Sequence, residues 1–221
     1  MKGRRSTLRR PFAVPVRHDS GRMPWARPRT APGGLTAPEN QRSAVVQLRQ
    51  TPHMDIVVRR AEPAEYGVVG EITARAYLRD GLLDFGEDDA YLGVLRDVAG
   101  RAAAAEVLVA VRDGGVLGAV AFVPSGGAMA DIAGPGEAEI RMLAVDHAAR
   151  GRGVGEALVR ACVDRARATS GCARLVLSTQ PTMHAAHRLY ERLGFARTPD
   201  RDWKPLPDLL DLSLLTYALH L

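Results

Sequence analysis

The chain has 221 residues, a net charge of +5 at pH 7 and only two cysteines, Cys162 and Cys172. No apolar run approaches the ~20 residues that a membrane-spanning helix requires, so no membrane partner is predicted. The two cysteines provide neither a disulfide framework nor a Cys-x-x-Cys metal pair, and they favour a reduced, cytoplasmic setting.

The positive charge is concentrated in residues 1–53, which hold 11 Lys/Arg, two acidic residues and seven of the 14 prolines. Such a segment cannot bury enough apolar surface to offset chain entropy, so it is predicted to be a disordered tail. It is either a solvated arm or an extension from a wrongly assigned start codon, since Met54 opens the first predicted strand. The alternative, nucleic-acid binding, would involve this tail alone. Residues 54–221 have the size of one domain.

The first predicted elements are a strand at Met54–Arg60, a helix from about Pro63 and a second helix from Asp88 or Asp89. The connection between the helices is rich in carboxylates. These side chains could attract a cationic ligand, or they could cap helices and maintain solubility. They are Asp80, Asp84, Glu87, Asp88 and Asp89.

Strands dominate the middle of the chain. Glu106–Arg112 and Val116–Val123 are predicted to form a hairpin around Asp113-Gly114-Gly115. A loop of small residues at 124–136 separates this hairpin from a strand at Ala138–Val145.

The last part of the chain alternates helices and strands. Apolar residues recur at helical spacing from Val154 to about Thr169. A strand at Leu175–Thr179, a helix ended by Gly194, a short strand at Phe195–Arg197, a loop at 199–209 and a strand at Leu210–Leu221 follow. The order β-α-α-β-β-β-α-β-α-β-β predicts an α/β domain whose mixed sheet is antiparallel in its first half.

The most informative segment is the turn Arg150-Gly151-Arg152-Gly153-Val154-Gly155, between a predicted strand and a predicted helix. Glycines let backbone N–H groups point inward, and the helix start adds about half a positive charge. Phosphate groups bind readily to such a turn. The glycine spacing differs from the dinucleotide fingerprint GxGxxG, and no lysine follows as in a P-loop.

The turn matches the signature Gln/Arg-x-x-Gly-x-Gly/Ala, so the chain resembles the GNAT superfamily of acetyl-CoA-dependent N-acetyltransferases. The segments AEIRMLAVDHAARGRGVGEALV at 138–159 and LYERLGF at 189–195 also resemble this family and occur in its order. The resemblance covers roughly residues 54–221. It implies a GNAT-like fold, a splayed mixed sheet of six to seven strands flanked by about four helices.

The resemblance implies where acetyl-CoA binds. The backbone of Leu143, Ala144 and Val145 would contact its pantetheine arm, in a gap where this strand splays from its neighbour. The pyrophosphate would be held by the backbone of Arg150, Gly151, Arg152, Gly153, Val154 and Gly155, with the two arginines adding mobile positive charge and the Val154 side chain in the core. Many relatives have an asparagine contacting the cofactor where this chain has Met183, and Ser178 or Thr182 could substitute for it.

The implied chemistry is direct attack of a primary amine on the thioester. The amine must lose a proton, the carbonyl must be polarised and the thiolate must be stabilised. Tyr190 matches the family's proton-donating tyrosine, and the N–H of Val145 matches the donor to the carbonyl oxygen. Glu139 lies where some members carry a general base, and strand alternation predicts that it shares a face with Leu143 and Val145. A water chain could replace Glu139, which could instead pair with Arg141.

The predicted partner is an amine acceptor, either a small molecule or a peptide, and a homodimer is compatible with the sequence. No metal is predicted, because His184 and His187 lie three residues apart with no third ligand nearby. The alternative hypothesis is a non-catalytic acyl-CoA-binding sensor or regulatory module.

Overall fold

The computed structural model describes residues 56–205 and 212–221. The tail predicted at 1–53 lies outside the described residues. So do positions 206–209 of the predicted loop and the first two residues of the predicted strands at 54–60 and 210–221. In the part of the chain that is described, no helix is long and apolar enough to cross a membrane.

Seven strands form one mixed sheet in the order β1-β2-β3-β4-β5-β7-β6. Neighbouring strands are antiparallel except β4 and β5, which are parallel. The predicted α/β class, with a mixed sheet that is antiparallel in its first half, is confirmed. The strands are β1 (Val57–Arg60), β2 (Glu106–Arg112), β3 (Gly115–Val123), β4 (Glu137–Val145), β5 (Arg174–Thr179), β6 (Ala196–Arg197) and β7 (Leu215–His220).

Five α-helices accompany the sheet within the described residues: α1 (Tyr66–Arg79), α2 (Tyr91–Arg96), α3 (Val98–Ala104), α4 (Val154–Ala168) and α5 (His184–Arg192). The second predicted helix is divided into α2 and α3 at Asp97. The Asp97 carboxylate accepts a hydrogen bond from the amide of Gly100, 2.8 Å away, and so caps α3. This local cap explains the additional helix.

The helices cover both faces of the sheet. The apolar stripe of α4, which includes Leu158 and Cys162, packs in one cluster with Tyr190 of α5 and with side chains of the central strands. The opposite face is covered by α1, α2 and α3 through separate apolar clusters. Complete burial of a side chain such as Leu158 contributes about 1.5–3 kcal/mol, so this packing fixes where α4 begins relative to β4.

Strand β4 contains a β-bulge at Met142. Ala119 of β3 pairs with Ala144 and Ala121 pairs with Arg141, so β4 has one extra residue there. Met142 has a φ of 50°, in the left-handed region that few residues other than glycine adopt. The bulge interrupts the alternation of side chains, because Met142 packs against α1 and α2 while Leu143 packs on the α4 side.

Candidate functional site

A gap opens between the two parallel strands at the centre of the sheet. β4 and β5 pair only as far as Ile140 and Leu177, and β4 then continues to Val145 while the end of β5 pairs with β7. The amide of Asp146 donates to Leu117 of β3 at 2.8 Å. Because backbone groups alternate sides along a strand, the amides of Leu143 and Val145 point away from β3, into the gap.

The backbone conformation of the turn after β4 requires glycine at two positions. Gly151 and Gly153 have φ values of 72° and 81°, and an added Cβ would meet nothing within 4 Å at either position. Gly153 precedes the first residue of α4, and the first intrahelical bond runs from the amide of Ala157 to its carbonyl. The amides of 154–156 therefore have no partner inside the helix and face its open end, where an anion is favoured.

The third glycine of the turn has a different role. Gly155 lies inside the first turn of α4, where an added Cβ would approach Leu189 of α5 to 3.4 Å and Val145 of β4 to 3.7 Å. Both distances are ordinary van der Waals contacts, so the start of α4 packs directly against α5 and β4. The turn and α5 consequently form opposite walls of the same opening.

The gap, the turn and α5 enclose a cleft of about 780 Å³. The structure brings together eight of the nine residues predicted to contact acetyl-CoA, and Arg152 is not part of the lining. Thr182 and Met183 also line the cleft. The eight are Leu143, Ala144, Val145, Arg150, Gly151, Gly153, Val154 and Gly155.

The prediction that Arg150 adds mobile positive charge at the rim needs correction. Its guanidinium forms a two-point ion pair with Asp80 at the end of α1, with N–O distances of 2.7 and 2.9 Å. The hydrogen bond to Asp80 raises the pKa of Arg150. The positive potential of the cleft therefore comes from the backbone of the turn, from the start of α4 and from Arg188 and Arg192 of α5, of which Arg192 is paired with Glu156.

The acidic connection after α1 serves several purposes. Asp80 pairs with Arg150, Asp89 is buried and accepts a hydrogen bond from the amide of Tyr91 at 2.9 Å, and Asp84 lines a second cavity. Helix capping, one of the two predicted roles, is therefore seen at Asp89, and Asp84 lies in the wall of a cavity.

The second cavity has a volume of about 130 Å³ and adjoins the cleft. Four residues line both spaces: Tyr77, Leu82, Leu143 and Met183. The polar lining of the smaller cavity comes from separate elements and includes Tyr91, Asp131, Arg141, Ser178 and Tyr190. The arrangement suits two reactants. A long anionic molecule would lie in the cleft, a small polar group would enter the cavity, and the two would meet at the shared residues.

Tyr190 is buried, with 4% of its surface exposed, and lines the smaller cavity. Its ring packs against Phe195 and Tyr217, with centroid distances of 5.9 and 6.0 Å. Burial raises the pKa of the Tyr190 phenol. The hydroxyl group therefore keeps its proton throughout the neutral range and is available as a donor.

The Leu-Gly-Phe sequence after Tyr190 forms the C-terminal cap of α5. The amide of Phe195 donates to the carbonyl of Tyr190, the amide of Gly194 donates to that of Glu191, and Gly194 has a φ of 90°. This is the Schellman arrangement, in which the residue after glycine packs against the last turn of the helix. The cap holds the Tyr190 ring in position.

We expect Gly194→Ala to destabilise the fold by about 1–2 kcal/mol, because alanine resists the left-handed conformation. An added Cβ would lie 3.5 Å from Leu219, which is ordinary contact, so the cost is conformational. Urea denaturation measures it. Gly67→Ala is the matched control, because Gly67 lies in α1 with open space around it and alanine there should stabilise by up to ~1 kcal/mol. Equal effects of the two substitutions would contradict the assignment of the cap.

The prediction that Glu139 shares a strand face with Leu143 and Val145 is wrong, because the bulge at Met142 reverses the alternation between them. Leu143 and Val145 pack in the same cluster as Ile140, the neighbour of Glu139. Glu139 is 1% exposed and lines neither cavity. Its Oε2 accepts hydrogen bonds from the amides of residues 131, 132 and 133 at 2.9–3.1 Å. This geometry supports a role in holding the loop before β4.

Comparison with known proteins decides the family. The model of the acetyltransferase (GNAT) family matches residues 69–195, which include β4, the glycine turn and α5. The chain belongs to the acetyltransferase (GNAT) family.

Solved GNAT structures share the fold. A GCN5-related N-acetyltransferase from Kribbella flavida is 26% identical, with a TM-score of 0.55 over 77% of this chain and 100% of that one. The yncA structure from Salmonella typhimurium, solved with its cofactor acetyl-CoA, is 22% identical, with a TM-score of 0.54 over 75% of this chain and 94% of that one. The predicted GNAT-like fold is confirmed.

A relative among characterised proteins is the N-acetylaspartate synthetase of Danio rerio. It is 38% identical over 71 residues, which is 32% of this chain. The match spans a quarter of that relative's length.

Several residues of the candidate site were not predicted from the sequence. Tyr77, Tyr91 and Asp131 line the smaller cavity, together with Arg141. One signal was present, since Asp131 is the single charged residue in the loop at 124–136. A lone carboxylate among small and apolar residues needs a partner, and here that partner is Arg141, with Oδ2 and Nη2 2.6 Å apart.

The described part of this family member contains no group of three or more His, Cys, Asp or Glu side chains arranged to hold a metal ion. Met183, which replaces the asparagine of many relatives, accepts a hydrogen bond from the hydroxyl of Thr179 through its sulfur at 3.2 Å. The two predicted substitutes lie in different places, because Thr182 lines the cleft and Ser178 lines the smaller cavity.

Proposed function

We propose that this protein transfers an acetyl group from acetyl-CoA to a primary amine by direct attack in a ternary complex. The observation that carries the proposal is the junction of the two spaces. The cleft and the smaller cavity share Leu143 and Met183, at the point where β4 and β5 separate. A thioester lying along β4 would have its reactive carbon at this junction, within reach of a group in the cavity.

The donor side is built mainly from backbone. The inward-pointing amides of Leu143 and Val145 suit the amide-rich pantetheine arm, which they would hold much as a neighbouring strand would. The glycine turn and the first amides of α4 suit the pyrophosphate. The backbone of Arg152 belongs to this set as part of the turn, although Arg152 is not among the residues that line the cleft.

The chemistry requires two stabilising groups besides a base. The amide of Val145 is the proposed donor to the developing oxyanion, because it points into the gap. Tyr190 is the proposed acid for the departing thiolate, because its phenol stays protonated and lines the cavity. Donors that are fixed by a strand and by a capped helix need little reorganisation during the reaction.

We infer that residues 54–221 form the N-acetyltransferase domain, preceded by a basic tail, in a cytoplasmic protein. The acceptor is the amine of a small molecule or of a peptide terminus. The cavity, of about 130 Å³, has room for a small amine, and it would receive only the amine end of a peptide. The name of the zebrafish relative, which specifies an acetylated amino acid, supports an acceptor of this class.

The test is a measurement of CoA thiol release by the full chain. The protein is incubated with acetyl-CoA and with a panel of linear alkylamines, amino acids and peptides. We expect release that depends on both acetyl-CoA and an amine. Tight binding of acetyl-CoA without release in the presence of any amine would instead support the acyl-CoA sensor.

A further inference from the structure

Asp131 lies in the loop between β3 and β4 and lines the same small cavity as Tyr190. Its side chain is 19% exposed, and the carboxylate is held on one side by Arg141, 2.6 Å away. A carboxylate in this position can contact a group that enters the cavity. Asp84 and Asp131 are the two carboxylates in the lining of this cavity, and the proposed reaction has used neither.

The loop that carries Asp131 is fixed by buried charges. Three successive amides, including that of Asp131 itself, donate to Glu139. The carbonyl of Ile132 accepts from Arg201 at 2.7 Å, and the amide of Gly134 donates to Glu137 at 2.9 Å. Hydrogen bonds to ionised groups are shorter and stronger than neutral ones, so the Asp131 backbone is held tightly.

The surroundings make Asp131 a stronger base than an ordinary aspartate. Burial raises its pKa to about 6, the charge of Glu139 adds to this shift, and Arg141 opposes it. The carboxyl group is therefore ionised at pH 7 while its pKa lies near the working pH, as efficient general bases require. The ionisable groups around it are Arg141 and Glu139 on β4, Tyr77 on α1, Tyr91 on α2, Asp84 after α1 and Tyr190 on α5.

We infer that Asp131 binds the ammonium group of the acceptor in the smaller cavity and takes its proton, and that Glu139 is a positioning residue that fixes the Asp131 loop. The inference rests on the proposed acetyl transfer. If Asp131 binds the ammonium group, the acceptor is a primary amine that enters the cavity in its protonated, cationic form. Desolvation lowers the pKa of the buried ammonium and raises that of Asp131, which reduces the difference between the two pKa values; the ion pair between the two groups acts in the opposite direction.

The step balances as follows. An N–H bond of the ammonium breaks and an O–H bond forms on Asp131, which leaves a neutral amine. The amine nitrogen forms a bond to the thioester carbon, the C–S bond breaks, and the sulfur takes the proton of Tyr190. The proton that the nitrogen loses on forming the amide returns to Tyr190 through solvent. Asp131 releases its proton to solvent, so each turnover yields one proton.

The test compares two acceptors in the full chain: the alkylamine with the fastest CoA release, and methoxyamine, which is already neutral at pH 7. We expect Asp131→Asn to lower kcat/KM by roughly 10²-fold or more for the alkylamine, and by less than about tenfold for methoxyamine. Asp113→Asn is the matched control, since it makes the same change at a carboxylate that is 93% exposed in a hairpin turn. It should leave both values unchanged.

The pH profile separates a base from a merely structural group. In the wild type, kcat/KM for the alkylamine should fall tenfold per pH unit below about pH 6, as Asp131 becomes protonated. In Asp131→Asn the break near pH 6 should vanish, and kcat/KM should instead rise tenfold per pH unit up to about pH 10, because only the neutral amine then reacts. In Glu139→Gln, which keeps an oxygen acceptor for the loop amides, the break should move to lower pH, because the charge that raises the pKa of Asp131 is gone.

The outcomes are distinct. Equal losses for the two acceptors, or a break near pH 6 that persists in Asp131→Asn, would overturn the role of Asp131 and leave the acetyl transfer intact. A break at unchanged pH in Glu139→Gln would overturn the positioning role. If wild-type protein releases no CoA with any alkylamine, both this inference and the proposed acceptor class fail. Titration calorimetry with acetyl-CoA should give wild-type affinity for each variant, which shows that the fold is kept.

Discussion

Replacement of Gly153 by glutamate is expected to lower the affinity for acetyl-CoA by at least about 100-fold, which corresponds to ~2.7 kcal/mol. Two effects act together. The carboxylate would place negative charge at the start of α4, where the pyrophosphate is proposed to bind. A side chain also resists the φ of 81° at this position, which would disturb the turn. Titration calorimetry with acetyl-CoA measures the loss.

Gly171→Glu is the matched control for this variant. Gly171 has a φ of 76° and open space around it, as Gly153 has, so both substitutions carry a similar conformational cost. Gly171 follows α4 and lies outside the lining of the cleft. Its variant should lose stability while binding acetyl-CoA normally. Wild-type affinity in Gly153→Glu would rule out the turn as the pyrophosphate site.

Removal of the Tyr190 hydroxyl group is the second change with a large expected effect. We expect Tyr190→Phe to lower kcat by about 10²–10⁴-fold and to leave acetyl-CoA affinity within about twofold of wild type. The phenylalanine ring would still pack against Phe195 and Tyr217, so the loss would be chemical. Single-turnover release of the CoA thiol, followed at saturating acetyl-CoA, measures the chemical step.

Tyr217→Phe provides the control for Tyr190→Phe. Tyr217 is buried in the same ring cluster, donates its hydroxyl proton to Glu191 at 3.1 Å and lines neither space. Its kcat should stay within about twofold of wild type. If Tyr190→Phe retained full turnover, the acid would have to be sought elsewhere, first at Tyr77, which lines both the cleft and the cavity.

Much of the donor site could be predicted because its determinants are local. The glycines at 151 and 153 are required by φ, and Gly194 is required by the cap of α5, so the sequence itself carries these constraints. The apolar spacing of α4 likewise predicts its buried face. These segments place the turn at the start of α4 and Tyr190 on α5, the helix that lines the other side of the cleft.

The acceptor site depends on contacts that local patterns do not encode. The pair between Arg150 and Asp80 joins residues 70 apart in the chain, and it removes a charge that the sequence counts as available. The bulge at Met142 has no sequence marker, since methionine seldom adopts a positive φ. Without the bulge, alternation assigns Glu139 to the wrong face and leaves Asp131 unnoticed.

The extra residue in β4 divides that strand into two halves that are out of phase. The half before Met142 presents Glu139 and Arg141 to the loop that carries Asp131, and the half after it directs backbone groups into the gap between β4 and β5. Since the donor side relies on main chain and the acceptor side on side chains, the two halves can change independently. In the proposed reaction, substitutions in the first half would change which amine binds while the backbone contacts to the thioester stay the same, so one strand would support many acceptor specificities.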